Sequence, residues 1–129
     1  MKIYNRYEEM TLPDYPETSI IGVYGTLKRG MRNFYLLKNS KFLGQAIIRG
    51  LKMYSLGGIP GVKPGNRSNK IKMELFEVSQ NTLRQIDKLE GIPYMYQRYK
   101  ASYLKNKNDS IYFYLYQGKI LEERRIKSW

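Results

Sequence analysis

The stretch that most limits what this chain can become is Leu83–Arg98, LRQIDKLEGIPYMYQR. It reads as the last turns of an amphipathic helix, a Gly-Pro break, and the start of an aromatic strand. At roughly 100° per residue, a helical face that begins at Leu83 takes in positions 86, 87 and 90. Ile86 shares that face, and so does Glu90, one residue before Gly91 ends the helix. A carboxylate in line with apolar side chains is pressed toward an interior where its charged form is disfavoured, so its pKa rises. Such a group can take up a proton and return it near neutral pH, as a general acid/base must. The same residues also describe a surface glutamate at a frayed helix end, and spacing on its own leaves both readings open.

The chemistry available to the chain is narrow. Its 129 residues suit one domain with a single hydrophobic core. They include neither cysteine nor histidine, which removes disulfides, Cys nucleophiles, Ser-His-Asp triads and the usual zinc sites. Acid–base work must fall to Asp, Glu, Lys or Tyr. A net charge of +12, from 23 Lys+Arg against 11 Asp+Glu, stands beside 13 Tyr and invites a nucleic-acid reading. That charge is spread along the chain, however, and Tyr-rich strands also arise from packing. A basic surface is the plainer explanation, and nucleic acid the weaker one. The N-terminal residues hold no continuous apolar stretch, and no apolar run approaches the roughly 20 residues that span a bilayer. The expectation is a cytoplasmic protein without a membrane association.

Residues 1–18 form an acidic-leaning lead-in in which Pro13 and Pro16 disfavour regular structure, so an extended arm over the surface is expected. Ser19–Tyr24, SIIGVY, is a buried strand by composition, and it runs into the Gly-bounded loop Gly25–Gly30. A strand, a glycine loop and a helical pattern can offer backbone N–H groups to an anion, although the loop has neither the P-loop nor the dinucleotide fingerprint. A plain turn is the commoner meaning of such spacing. Asn33–Lys38 suggests a short helix capped by Asn33. Lys41–Tyr54 reads as two short strands joined at Arg49-Gly50, and the Gly/Pro-dense Ser55–Asn69 as a loop suited to a lid or rim. Lys70–Val78 alternates, with Ile71, Met73 and Leu75 on one face and Phe76 beside them. Ser79 offers an N-cap for a helix Gln80–Glu90. Tyr96–Leu104 and Ser110–Tyr116 are strands joined by KNKND, the second aromatic enough to be central and buried on both faces. Gly118–Trp129 is left as a short helix or a disordered end. Strands outnumber helices without alternating with them, so the class is α+β, with a barrel as the natural closure of the sheet. The division expected is an N-terminal extension 1–18, a domain 19–117 and a tail 118–129.

Taken together, VYGTLKRG (Val23–Gly30), MELFEV (Met73–Val78) and DKLEGIPYMYQR (Asp87–Arg98) resemble the motifs of the gamma-glutamylcyclotransferase-like, or AIG2-like, family. The first matches a strand ending in Tyr-Gly-Ser/Thr-Leu, the second a strand Gly-Glu-Leu-Tyr/Phe-x-Val. The third matches a helix ending in Glu-Gly followed by Tyr-x-Arg. The likeness spans roughly residues 20–117. Its short Glu90-to-Tyr96 spacing looks most like the branch that acts on γ-glutamylamines. The resemblance implies a compact mixed β-barrel with flanking helices. It also implies cleavage of a γ-glutamyl amide by internal cyclisation, giving 5-oxoproline and a free amine, without cofactor or metal. On the same footing Glu90 would be the catalytic acid/base, and Tyr24, Gly25, Thr26 and Leu27 the site for the glutamyl α-carboxylate. Tyr96 and Arg98 would complete the substrate-binding set. The sequence departs from the family at Met73, which stands where glycine is usual and would narrow or reshape the pocket.

The implied activity needs only what the composition leaves available. The nucleophile lies within the substrate, so the protein has to fold it toward a five-membered ring and move protons. The alternative is a non-catalytic binding module on the same scaffold, holding a small ligand or, less in keeping with the dispersed charge, nucleic acid.

Overall fold

In a computed structural model, residues 2–9, 15–102 and 110–129 are described. Nine strands and one α-helix follow each other among these residues, with two single turns of 3-10 helix. Strands β1 (Lys2–Glu9), β2 (Thr18–Val23), β3 (Lys41–Arg49), β6 (Lys70–Ser79), β7 (Tyr96–Ser102) and β8 (Ser110–Tyr116) form a closed barrel in the order β1-β3-β6-β2-β8-β7. The pairs β1–β3 and β2–β8 are parallel and the others antiparallel, so the barrel is mixed. A smaller sheet stands beside it: β4 (Leu51–Ser55) lies between β5 (Pro60–Pro64) and β9 (Arg125–Ile126). Helix α1 (Gln80–Glu90) packs on the barrel's outside.

The period-2 alternation of the strands explains why two cores form. In β6, Ile71, Met73 and Leu75 point into one cluster with Ile111, Phe113 and Leu115 of β8. Phe76 and Val78 point the other way, with Tyr112 and Tyr114, and meet Leu83 and Ile86 of α1. IYFYLY is therefore buried on both faces, as its composition predicts, because one face fills the barrel and the other lies under the helix. Leu83 and Ile86 are fully buried, and each contributes about 1.5–3 kcal/mol by leaving water. Met73 is also fully buried inside the barrel, where a Cβ on Gly22 would meet its Sδ at 2.7 Å. Its bulk fills the barrel interior against Gly22.

The helix begins and ends where its residues dictate. The Ser79 side chain accepts from the Thr82 N–H, and Gly91 turns left-handed at φ 65°, its own N–H donating to the carbonyls of Asp87 and Lys88.

Several expectations give way to tertiary pairing. Lys2–Glu9 is a barrel strand between β3 and β7 rather than an arm over the surface. Ser55–Asn69 is not wholly a loop, because Pro60–Pro64 pairs with β4 and buries Pro60, Gly61 and Val62. Proline is tolerated there because β5 is an edge strand with prolines at its ends. Of the two readings left for Gly118–Trp129 the short helix is the nearer, as Glu122–Arg124 forms a 3-10 turn, but the unexpected part is β9, which pairs with Met53 and Tyr54. The end of the expected strand at Leu104, the KNKND turn and Pro13 lie outside the described residues. No helix among the described residues is long and apolar enough to cross a membrane.

Candidate active site

At the end of β2 the chain leaves the barrel through Tyr24 and enters the loop Gly25–Gly30. Backbone bonds from Lys28 N–H to the Gly25 carbonyl (3.0 Å) and from Asn33 N–H to the Thr26 carbonyl (2.9 Å) fold that loop back on itself. Asn33 stands at the N-cap position of the turn Phe34–Leu37, as expected, but its side chain makes no cap bond. Its Nδ2 donates instead to Thr26 Oγ1 at 2.8 Å, which holds the loop against the start of the turn. Among the described residues, no hydrogen bond engages the N–H groups of Gly25, Thr26 or Leu27. Consecutive backbone donors of this kind suit an anion.

Gly25 is needed for packing, because a Cβ there would stand 2.7 Å from Pro60 Cγ. This close approach brings β5 of the small sheet against the loop. Tyr96, at the start of β7, fastens the same point by donating its hydroxyl to the Pro60 carbonyl at 2.7 Å. Tyr24 donates to the Tyr114 carbonyl at 2.7 Å and is itself buried.

Between these elements lies a cavity of about 190 Å³, lined by Tyr24–Leu27 of the loop, Glu90 at the end of α1, Tyr96, and Tyr114 of β8. Arg32, Asn33, Ile59, Pro60, Leu89 and Met95 complete much of its wall. Glu90 is the only carboxylate that lines it among the described residues. Burial, and then the charge of Asp87 one helical turn earlier, push its pKa up to about 7. Burial raises the Tyr24 and Tyr96 phenols as well, and the charge of Glu90 adds to it, so both stay protonated at neutral pH. The cavity therefore pairs one group that titrates near neutrality with phenols that act only as neutral partners. No three His, Cys, Asp or Glu side chains cluster as a metal-binding set among the described residues.

Six of the seven residues singled out in the sequence come together here: Tyr24, Gly25, Thr26, Leu27, Glu90 and Tyr96. Arg98 does not line the cavity. It is fully buried behind the site, with its Nε 3.3 Å from an Asp87 carboxylate oxygen and its guanidinium 4.6 Å from the Tyr112 ring centroid. The same Asp87 oxygen accepts the Tyr114 hydroxyl at 2.5 Å. Strand alternation accounts for this: Tyr96 and Arg98 share one face of β7, but two residues of rise move Arg98 beneath α1. Leu89 and Met95 immediately precede Glu90 and Tyr96 in the sequence, and that adjacency is a signal for their place in the wall. Pro60 and Tyr114 reach the site only through strand pairing and carry no local signal.

A mixed barrel with a raised-pKa carboxylate and a glycine loop lining one pocket defines a class: a small α+β barrel protein with a carboxylate-centred site. The chain matches the family described as "Gamma-glutamyl cyclotransferase, AIG2-like" over residues 21–129 and belongs to it. It is 37% identical over 95 residues to a protein of Methanocaldococcus jannaschii with a provisional gamma-glutamylcyclotransferase name, covering 73% of this chain and 79% of that one. It is 32% identical over 110 residues to the gamma-glutamylcyclotransferase family protein YtfP of Escherichia coli K12, covering 84% and 91%. The crystal structure of an uncharacterized protein from Pyrococcus horikoshii superposes with a TM-score of 0.71 at 29% identity, covering 84% of this chain and 86% of that one.

Proposed function

We propose that this protein cleaves a γ-glutamyl amide by intramolecular cyclisation, releasing 5-oxoproline and a free amine, with Glu90 as general acid/base. The observation that carries the reading is that Glu90, its pKa raised to about 7, shares one cavity with the loop residues Gly25–Leu27, whose N–H groups make no hydrogen bond among the described residues. Those donors would hold the glutamyl α-carboxylate and so set the α-nitrogen on its path to the γ-carbonyl. Glu90 takes a proton from the α-ammonium, and the freed nitrogen attacks the γ-carbon. The γ-carbon–amine bond then breaks as Glu90 returns a proton to the departing nitrogen. Both protons that the α-nitrogen sheds end on the leaving amine, so the carboxylate is restored. The Tyr24 and Tyr96 phenols border the site as neutral groups that support its walls.

The test is 5-oxoproline release from a panel of γ-glutamylamines, γ-glutamyl amino acids and glutathione, with Glu90→Gln alongside. The wild type is expected to turn over at least one member, and the variant to lose about 10²–10⁴-fold in kcat while melting as a folded protein. Below pH 7 wild-type kcat/KM should fall about tenfold per pH unit as Glu90 takes up its proton. Equal activity of the two proteins would remove Glu90 from the mechanism. Binding of 5-oxoproline or a glutamyl compound with no turnover of any member would favour a binding module.

A further inference from the structure

The cyclotransferase reading leaves the amine half of the substrate open, and the cavity mouth bears on it. The loop's other cations are engaged elsewhere. Lys28 donates to the Trp129 carbonyl, while Arg29 lies 3.3 Å from Glu74 and 3.8 Å over the Phe42 ring. Lys63 faces the Tyr116 ring at 5.6 Å. Arg32 is the cation that lines the cavity among the described residues. It is exposed, and its Nη1 donates to the Gly58 carbonyl at 3.2 Å, which ties the guanidinium to the turn leading into β5. A guanidinium carries five N–H donors in a fixed fork, so one such bond leaves the geometry for a carboxylate available.

Part of the same wall is apolar. Leu89 and Met95 are 40% and 44% exposed yet line the same cavity, with Ile59 and Pro60 alongside. Large apolar side chains open to water at the rim of a pocket are surface that a ligand can cover.

Resting on the cyclotransferase reading, we infer that Arg32 selects the leaving group: an amine with a free carboxylate, which Arg32 binds, and an apolar side chain, which covers Leu89 and Met95. The substrate class is then the γ-glutamyl derivative of a large aliphatic α-amino acid. A leaving amine whose only charge is positive is disfavoured beside the guanidinium.

The experiment compares γ-glutamyl-leucine, γ-glutamyl-isopentylamide, which lacks only the carboxylate, and γ-glutamyl-glycine, which lacks the side chain. Wild-type kcat/KM should favour the leucine compound over the isopentylamide by about 10- to 100-fold, the range of a charge-assisted bidentate contact. It should favour leucine over glycine by about tenfold or more. In Arg32→Gln the leucine-to-isopentylamide ratio should collapse toward one, mainly through KM, with Arg32→Lys between. Thermal melts of both variants verify the fold, which the exposed position of Arg32 should spare. A wild-type ratio near one, or a ratio unchanged in Arg32→Gln, would overturn the inference while leaving the cyclotransferase reading intact. Release of 5-oxoproline from none of the three, nor from the wider panel, would overturn both.

Discussion

Glu90 concentrates the conflict between stability and chemistry that an active-site carboxylate carries. Its folded pKa of about 7 lies above the ordinary carboxylate value, so the folded chain binds this proton more tightly than the unfolded chain does. The contribution is fully present at acid pH, below the unfolded value. It is lost as pH rises from about 4.5 through 7, where the charged form must be kept in a poorly solvated place. Replacing Glu90 with glutamine removes that penalty. Glu90→Gln should therefore match the wild type in stability near pH 4 and exceed it by on the order of 2–3 kcal/mol at pH 8. Urea unfolding at the two pH values measures this directly, and equal midpoints at pH 8 would mean that Glu90 is solvated. This residue was legible from the sequence because helical spacing and the adjacent Gly91 depend only on near neighbours. Its burial was not, because the walls that exclude water come from β5, β7 and β8.

At the scale of elements, α1 is joined to the barrel by more than its apolar stripe. Asp87 stands one turn before Glu90 and meets both Arg98 of β7 and the Tyr114 hydroxyl of β8. Removing one partner from such a buried pair leaves an uncompensated charge, so Arg98→Met should cost about 3–5 kcal/mol in urea unfolding. If Arg98 instead held substrate, the variant would keep its stability and raise KM, an outcome that separates the two roles. The motif Tyr-x-Arg is plain in the sequence, yet its two members serve different places. Tyr96 reaches the cavity and Arg98 the space under the helix. Asn33 offers a parallel case, since its type and position predict a cap, but Thr26 captures its side chain. A local rule ranks the bonds a residue can make with its neighbours in sequence, and a distant partner can outbid them.

For the molecule as a whole, the cavity exists because a closed barrel and a small second sheet meet at Pro60. Tyr96 on the barrel side and Gly25 on the loop side both converge on that residue. Tyr96→Phe deletes the hydroxyl and leaves the buried Pro60 carbonyl without that donor, which should lower stability by about 1–3 kcal/mol. Loosening of β5 should lower kcat/KM several-fold as well, and melting curves with kinetics on one substrate check both. Unchanged values in both assays would show that the two sheets are held together by other contacts.

The amino-acid sequence by itself determined the capped helix Gln80–Glu90, most of the strands, the exclusion of thiol and imidazole chemistry, and the motifs that mark the family. Those properties follow from periodicity, caps and composition, which act between residues close in the chain. Only the tertiary structure decided that Lys2–Glu9 and Arg125–Ile126 are strands and that a proline-rich stretch packs as one. It also decided that Arg98 supports the site from behind, and that Arg32 stands at its mouth. Each of these depends on a hydrogen-bond ladder, an ion pair or a close approach between segments far apart in sequence, and such pairings become favourable only once the barrel has brought the segments together.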